Sequence, residues 1–302
     1  MHTHNPSERA LTFVLVLNAL YFGVEAIAGW RTNSLALWSD AGHMLGDVGA
    51  IALSLAAARW ALRPASPAHT WGHQRSEILA ALANGVTLVV IAALVAAEAI
   101  RRLAAPPAVP GAVIAGVAAI GLLVNVGSAI ALLRGSRRDL NLRGAFLHAA
   151  SDALGSIGAL TAGILVARFG WRAADPIASL FIALLVLIAG VRHLRDTVHV
   201  LMEGAPASIR VDRLREAMEG TEGVRAVHDL HVWSMSSSMA VLSAHVVTGP
   251  ELSAAEGQAV LGRVRRVLAD EFAIAHATLQ LELEAPACDP CDTPVERASE
   301  IR

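Results

Sequence analysis

The chain has 302 residues, of which 55% are hydrophobic and only 17% charged, and its mean hydropathy is +0.52. That is too apolar for an ordinary soluble protein and points to a chain embedded in a membrane. The formal net charge of -2 supplies no basic surface for nucleic acid, so no such partner is expected.

Residues 1–9 form a short polar tail that carries His2 and His4. Behind it lie six segments, 10–30, 35–60, 78–100, 109–133, 142–169 and 177–201, each near the ~20 residues a helix needs to cross a bilayer. The first keeps Glu25 and shows no small-residue cleavage site, so it reads as a retained helix and not a signal peptide. Turn-forming or polar stretches separate the segments: Arg31-Thr32-Asn33, the loop from Arg63 to Ser76, Pro106-Pro107, Gly135-Ser136-Arg137-Arg138, and Gly170 to Pro176. All basic residues are arginines. Arg9, Arg63, Arg75, Arg134, Arg137, Arg138, Arg143, Arg192 and Arg195 fall on one side, against Arg31, Arg101, Arg102, Arg168 and Arg172 on the other. The positive-inside rule makes the richer side cytoplasmic and puts both termini there; the membrane itself is expected to be a bacterial inner membrane.

The second and fifth segments each carry a histidine and an aspartate four residues apart, His43 with Asp47 and His148 with Asp152. On a helix these positions share one face. At about 1.5 Å per residue, His43 and Asp47 come roughly 12 and 18 Å into a ~30 Å core from one side. His148 and Asp152 come roughly 11 and 17 Å from the other. Two imidazoles and two carboxylates at mid-membrane match a tetrahedral zinc site in number and chemistry, at the depth where transporters hold their cargo. Asp40, three residues before His43, lies near the same face and reads either as an acceptor orienting an imidazole or as a cavity carboxylate. Asn18, Glu25, Asn84, Glu98 and Asn125 read as bonds between helices or as pathway lining. Gly155, Ser156, Gly158 and Gly163 would let the fifth helix approach a neighbour closely.

The composition changes after residue 203, so 10–203 reads as the transmembrane domain and 204–285 as a small soluble α+β domain. Its pattern gives a helix at 211–219, strands at 224–235 and 239–247, a helix at 254–272 and a strand at 278–283. The tail, 286–302, carries Cys288-Asp289-Pro290-Cys291. Two thiolates at this spacing can reach one zinc ion, and the pair is no disulfide framework.

Six apolar segments, the paired His-x-x-x-Asp motifs and the soluble domain together resemble the cation diffusion facilitator family, the zinc/proton antiporters. The likeness is carried by Leu35-Ala36-Leu37-Trp38-Ser39-Asp40-Ala41-Gly42-His43 through Asp47, Gly72-His73-Gln74-Arg75-Ser76-Glu77, His148 through Asp152, and His228-Asp229-Leu230-His231-Val232-Trp233-Ser234. It implies a homodimer whose cytoplasmic domains have a metallochaperone-like (ferredoxin-like) fold, and export of Zn2+ against protons. It implies that His43, Asp47, His148 and Asp152 carry the cargo. It also implies a cytoplasmic zinc site at His228, His245 and Glu282, with Cys288 and Cys291 beside it and a structural or regulatory Zn2+ in it. Gln258 stands where the family's two-metal version has a histidine, and His231 and His276 are alternates. The loop histidines His69 and His73 resemble the family's interfacial metal site, although Ser66-Pro67-Ala68 replaces the usual acidic residue. Arg75 and Glu77 read as a salt-bridge element at the membrane edge, and His2 and His4 as groups that could reach a neighbouring subunit. An intramembrane zinc enzyme would want His-Glu-x-x-His, which does not occur, so no enzyme is expected. A metal sensor that moves no ion is the other alternative.

Overall fold

A computed structural model describes residues 6–283 apart from 62, 137–139 and 238, and gives backbone alone for some further helical positions. Six long helices come first: α1 (Pro6–Thr32), α2 (Leu35–Ala61), α3 (Ser76–Ala104), α4 (Gly111–Ser136), α5 (Leu140–Phe169) and α6 (Ala174–Leu201). At one end or both, each runs past the apolar segment that announces it, because helical hydrogen bonding carries on into the polar flanks. The end of α3 shows why: Glu98 pairs with Arg101 and Arg102 at 2.7 Å, one turn apart. Arg102 also donates to the Asn33 carbonyl at 2.7 Å, and Pro106-Pro107 then forbid continuation.

Among the described residues, four helical stretches are long and apolar enough to cross a membrane: Ser76–Ala104, Gly111–Leu133, Ala149–Phe169 and Ala174–Leu201. Large apolar side chains point outward from them, with Leu94 66%, Leu123 73% and Ile130 65% exposed, a surface suited to lipid and not to water. The interior is built of Leu37, Ile114, Ile182 and Val186 among alanines such as Ala36, Ala118, Ala159 and Ala162. Small residues let α4 and α5 touch backbone to backbone. A Cβ on Gly163 would meet the Ala115 amide nitrogen at 2.5 Å and the Gly111 carbonyl oxygen at 2.9 Å, as the small-residue pattern of the fifth segment predicts.

By contacts the chain separates into two units, one holding the described residues up to 56 with 80–194, the other 57–79 with the described residues from 195 on. The second contains α7 (Val211–Glu219), β1 (Ala226–Ser234), β2 (Ala240–Val247), α8 (Ala254–Phe272) and β3 (His276–Glu282). The strands form one sheet in the order β1-β2-β3, with β1 and β2 antiparallel and β2 and β3 parallel. Leu242, Ala244 and Val246 face the helices and pack with Leu214, Met218, Val260, Val264 and Leu268. Alternation then turns His245 to the other face. A capping box starts α8: the Ser253 hydroxyl accepts from the Glu256 amide, and the Glu256 carboxylate accepts from the Ser253 amide at 2.8 Å.

Candidate metal sites

A cavity of about 200 Å3 lies between α2, α5 and α6. Asp40 and His43 of α2, Ser151 and Asp152 of α5, and Ile182, Val186 and Arg192 of α6 line it. His43 Nε2 stands 3.4 Å from Asp152 Oδ1, with the two side chains only 15% and 7% exposed. Thus one member of each predicted His-Asp pair meets the other across two helices. The backbones of Asp47 and His148 are helical, but their side chains lie outside those described. Asp40 is 3% exposed and sits against Gly155 of α5, where an added Cβ would come within 3.2 Å of its Oδ1. The glycine therefore makes room for a carboxylate beside the cavity. Glu25 of α1 is fully buried, accepts from the Tyr21 hydroxyl at 3.0 Å and neighbours Asp40. Asn125 donates to Ser156 Oγ at 3.2 Å, a bond between α4 and α5.

In the second unit, potential ligand atoms of His228, His245 and Glu282 lie within 4.8 Å of one another. Their convergence follows from register. His228 and His245 are cross-strand partners, and Glu282, opposite Val247 on β3, projects to the same face. Glu282 reaches both rings, with Oε2 2.8 Å from His228 Nε2 and Oε1 2.9 Å from His245 Nδ1. The first contact is a hydrogen bond donated by the imidazole, whereas His245 Nδ1 has no hydrogen-bond geometry despite its closeness. Two imidazoles and a carboxylate this close together, with His245 Nδ1 outside any hydrogen bond, could hold an ion between them, and a His2-carboxylate donor set is zinc chemistry. Burial raises the Glu282 carboxyl, but hydrogen bonds from His228 and Gln280, with charge from the two imidazoles, outweigh it and hold the group below the ordinary glutamate range.

Other predicted residues are also placed. His69 and His73 stack with ring centroids 4.7 Å apart, and Trp71 between them meets His276 edge-on at 4.6 Å. Arg75 pairs with Glu203 at 2.8 Å, and Glu77 accepts from Ser237 Oγ at 2.8 Å. Gln258 is exposed on α8. His2, His4, Cys288 and Cys291 lie outside the described residues. Two groups escaped the sequence reading as local features. Arg192 lines the cavity, and its one signal was a charge inside an apolar run. Asp175 at the start of α6 is 1% exposed and accepts from Ser34 Oγ, from the Leu35 amide at 2.9 Å and from the Ala36 amide at 3.3 Å. It caps the first turn of α2 from another helix.

A family model described as the cation efflux transmembrane domain matches residues 11–202, and one described as the cation efflux protein cytoplasmic domain matches 206–284. The cadmium, cobalt and zinc/H(+)-K(+) antiporter of Bacillus velezensis is 42% identical over 290 residues, covering 94% of this chain and 92% of the relative. The zinc transporter ZitB of Escherichia coli is 38% identical over 302 residues, covering 97% and 94%. A solved metal-bound C-terminal domain of the CzcD transporter from Cupriavidus metallidurans shares 35% identity, spans 25% of this chain and 100% of its own, and has a TM-score of 0.23. Matched in both of its parts, and by relatives named as transporters and not as enzymes, this integral membrane protein belongs to the cation efflux, or cation diffusion facilitator, family.

Proposed function

We propose that the chain is a zinc/proton antiporter that exports Zn2+ from the cytoplasm by alternating access at His43, Asp47, His148 and Asp152. The carrying observation is the meeting of His43 and Asp152 at 3.4 Å beside a cavity inside an apolar bundle. Ionisable groups are costly there and call for a function. Zinc takes neutral imidazoles and ionised carboxylates, so loading the four groups releases protons, and reprotonation from the opposite side expels the ion. In this reading the helices of 10–203 cross the membrane six times and both termini face the cytoplasm of a bacterial cell. The domain at 204–285 joins two copies into a homodimer. His228, His245 and Glu282 hold a structural or regulatory Zn2+, with Cys288 and Cys291 of the tail, 286–302, as further thiolate ligands. His69 and His73 form a lesser loop site. The donor set around Glu282 supports the resident ion, since two imidazoles and a carboxylate converge with His245 Nδ1 outside any hydrogen bond.

The test is flux in proteoliposomes that carry a pH-sensitive dye. Zinc entering the lumen should alkalinise it in step as protons leave, and an imposed outward proton gradient should drive zinc uptake. A metal sensor or a zinc enzyme would move neither ion, and zinc flux with no proton movement would contradict antiport.

A further inference from the structure

β1 is irregular where its histidines lie. His228 pairs with His245 but the next partners are His231 and Ser243, so β1 advances three residues while β2 advances two. The extra residue makes a bulge, and within it Asp229 has φ +50°, a left-handed conformation that aspartate tolerates better than most residues. The bulge keeps His228 and His231 on one face despite their odd spacing. It also carries the Asp229 carboxylate between two imidazoles: His231 Nε2–H donates to Oδ1 at 3.0 Å, and Oδ2 lies 3.7 Å from His245 Nε2. His245 thus has a carboxylate at each ring nitrogen, Glu282 at Nδ1 and Asp229 at Nε2.

An imidazole that binds a metal through one nitrogen donates its other N–H outward, and the acceptor there fixes tautomer and ring angle. Glu282 also touches His228, so the Nδ1 edge of His245 is the one turned to the ligand cluster. Building on the cytoplasmic metal site proposed above, we infer that Asp229 is its positioning residue, holding the His245 proton on Nε2 so that the Nδ1 lone pair is left for the ion. At 3.7 Å the approach is electrostatic. A shift of about 0.8 Å would bring it to the ~2.9 Å of a charge-assisted hydrogen bond. The bond from His231 keeps the carboxylate from swinging away. Asp229 is not part of the three-residue cluster, so its effect acts through His245.

The experiment uses the full-length protein in detergent with Asp152→Ala to weaken the membrane ligand set, and compares Asp229→Asn, Asp229→Gly and Glu282→Ala in that background. Asparagine and glycine both accept a positive φ, so the bulge is spared. Zinc affinity is read by competition with a chromogenic chelator, and ligand geometry by the visible bands of the Co2+-substituted protein. The expected result is a loss of about 10–100-fold in affinity for Asp229→Gly with altered Co2+ bands. Asp229→Asn, which keeps an acceptor oxygen, should fall between it and the parent, and far-ultraviolet circular dichroism should be unchanged. Parental affinity and bands in both Asp229 variants, with zinc lost in Glu282→Ala, would overturn the role of Asp229 alone. Parental affinity in Glu282→Ala would take down the site itself and this role with it. Should the glycine variant misfold, the asparagine variant decides.

Discussion

Replacing Asp175 tests whether one carboxylate ties the start of α6 to the start of α2. The side chain is 1% exposed and accepts from Ser34 Oγ and from the Leu35 and Ala36 amides. Those amides belong to the first turn of α2, where no intrahelical partner exists. As an acceptor the Ser34 hydroxyl takes the Leu37 amide, at a long 3.4 Å, and not the two amides that the aspartate holds. Stranding a buried donor costs about 1–3 kcal/mol. Two amides at about 2 kcal/mol each make Asp175→Ala worth about 4 kcal/mol. Asp175→Asn keeps one acceptor oxygen but turns an NH2 toward a donor, for about half that loss. At roughly 2–4 °C per kcal/mol, the alanine variant should melt about 8–16 °C below the parent and the asparagine variant between them. The assay is intrinsic tryptophan fluorescence of the detergent-solubilised protein during a thermal ramp at a fixed scan rate. An alanine variant melting within about 2 °C of the parent, less than 1 kcal/mol on that scale, would refute the assignment of the cap.

The backbone contact of α4 and α5 predicts that Gly163→Ala is harmful, because its Cβ would meet the Ala115 nitrogen and the Gly111 oxygen, neither of which can move aside alone. Overpacking of this kind costs about 1–3 kcal/mol, and an unchanged melting temperature would contradict the close approach. The capping box of α8 predicts a pH signature. The Ser253 hydroxyl and amide hold the Glu256 carboxyl below its ordinary value, so its stabilisation is present above about pH 4.3, the unfolded value, and is lost as pH falls from there through the lower folded value. Urea titrations followed by circular dichroism should show the gap between parent and Glu256→Ala narrowing from pH 7 to pH 3.5. A gap independent of pH would remove the charge from the explanation.

Much of this was legible because local pattern and tertiary role coincide. A long apolar run can only be a helix in lipid. The four-residue spacing marked His43 with Asp47 and His148 with Asp152, and of these four the described side chains, His43 and Asp152, do meet. Alternation in β3 likewise set Glu282 apart from Leu279 and Leu281, which pack on the core. What was hidden depends on partners remote in sequence. The β3 strand begins at His276, two residues before the expected 278, because it pairs in parallel with β2 from Val241 onward, and alternation carries no information about pairing direction. Likewise β1 stops at Ser234 and does not extend over 224–235. Asp175 precedes Pro176 and looks like an ordinary helix start, yet it caps a different helix. Gly155 reads as a small residue for helix packing, yet what it faces is the carboxylate of Asp40. The bulge at Asp229 left no mark except an aspartate between histidines.

The most direct measurement is zinc flux under an imposed proton gradient in proteoliposomes of the parent, His43→Ala and Asp152→Asn, with bound zinc counted in the same samples. Losing a direct ligand should cost more than the 10–100-fold typical of an outer partner. Both variants should therefore fall at least about tenfold in flux while the zinc held through Glu282 stays in place. Parental flux in either variant, with the protein folded and the bilayer sealed, would contradict transport through the His43–Asp152 meeting point.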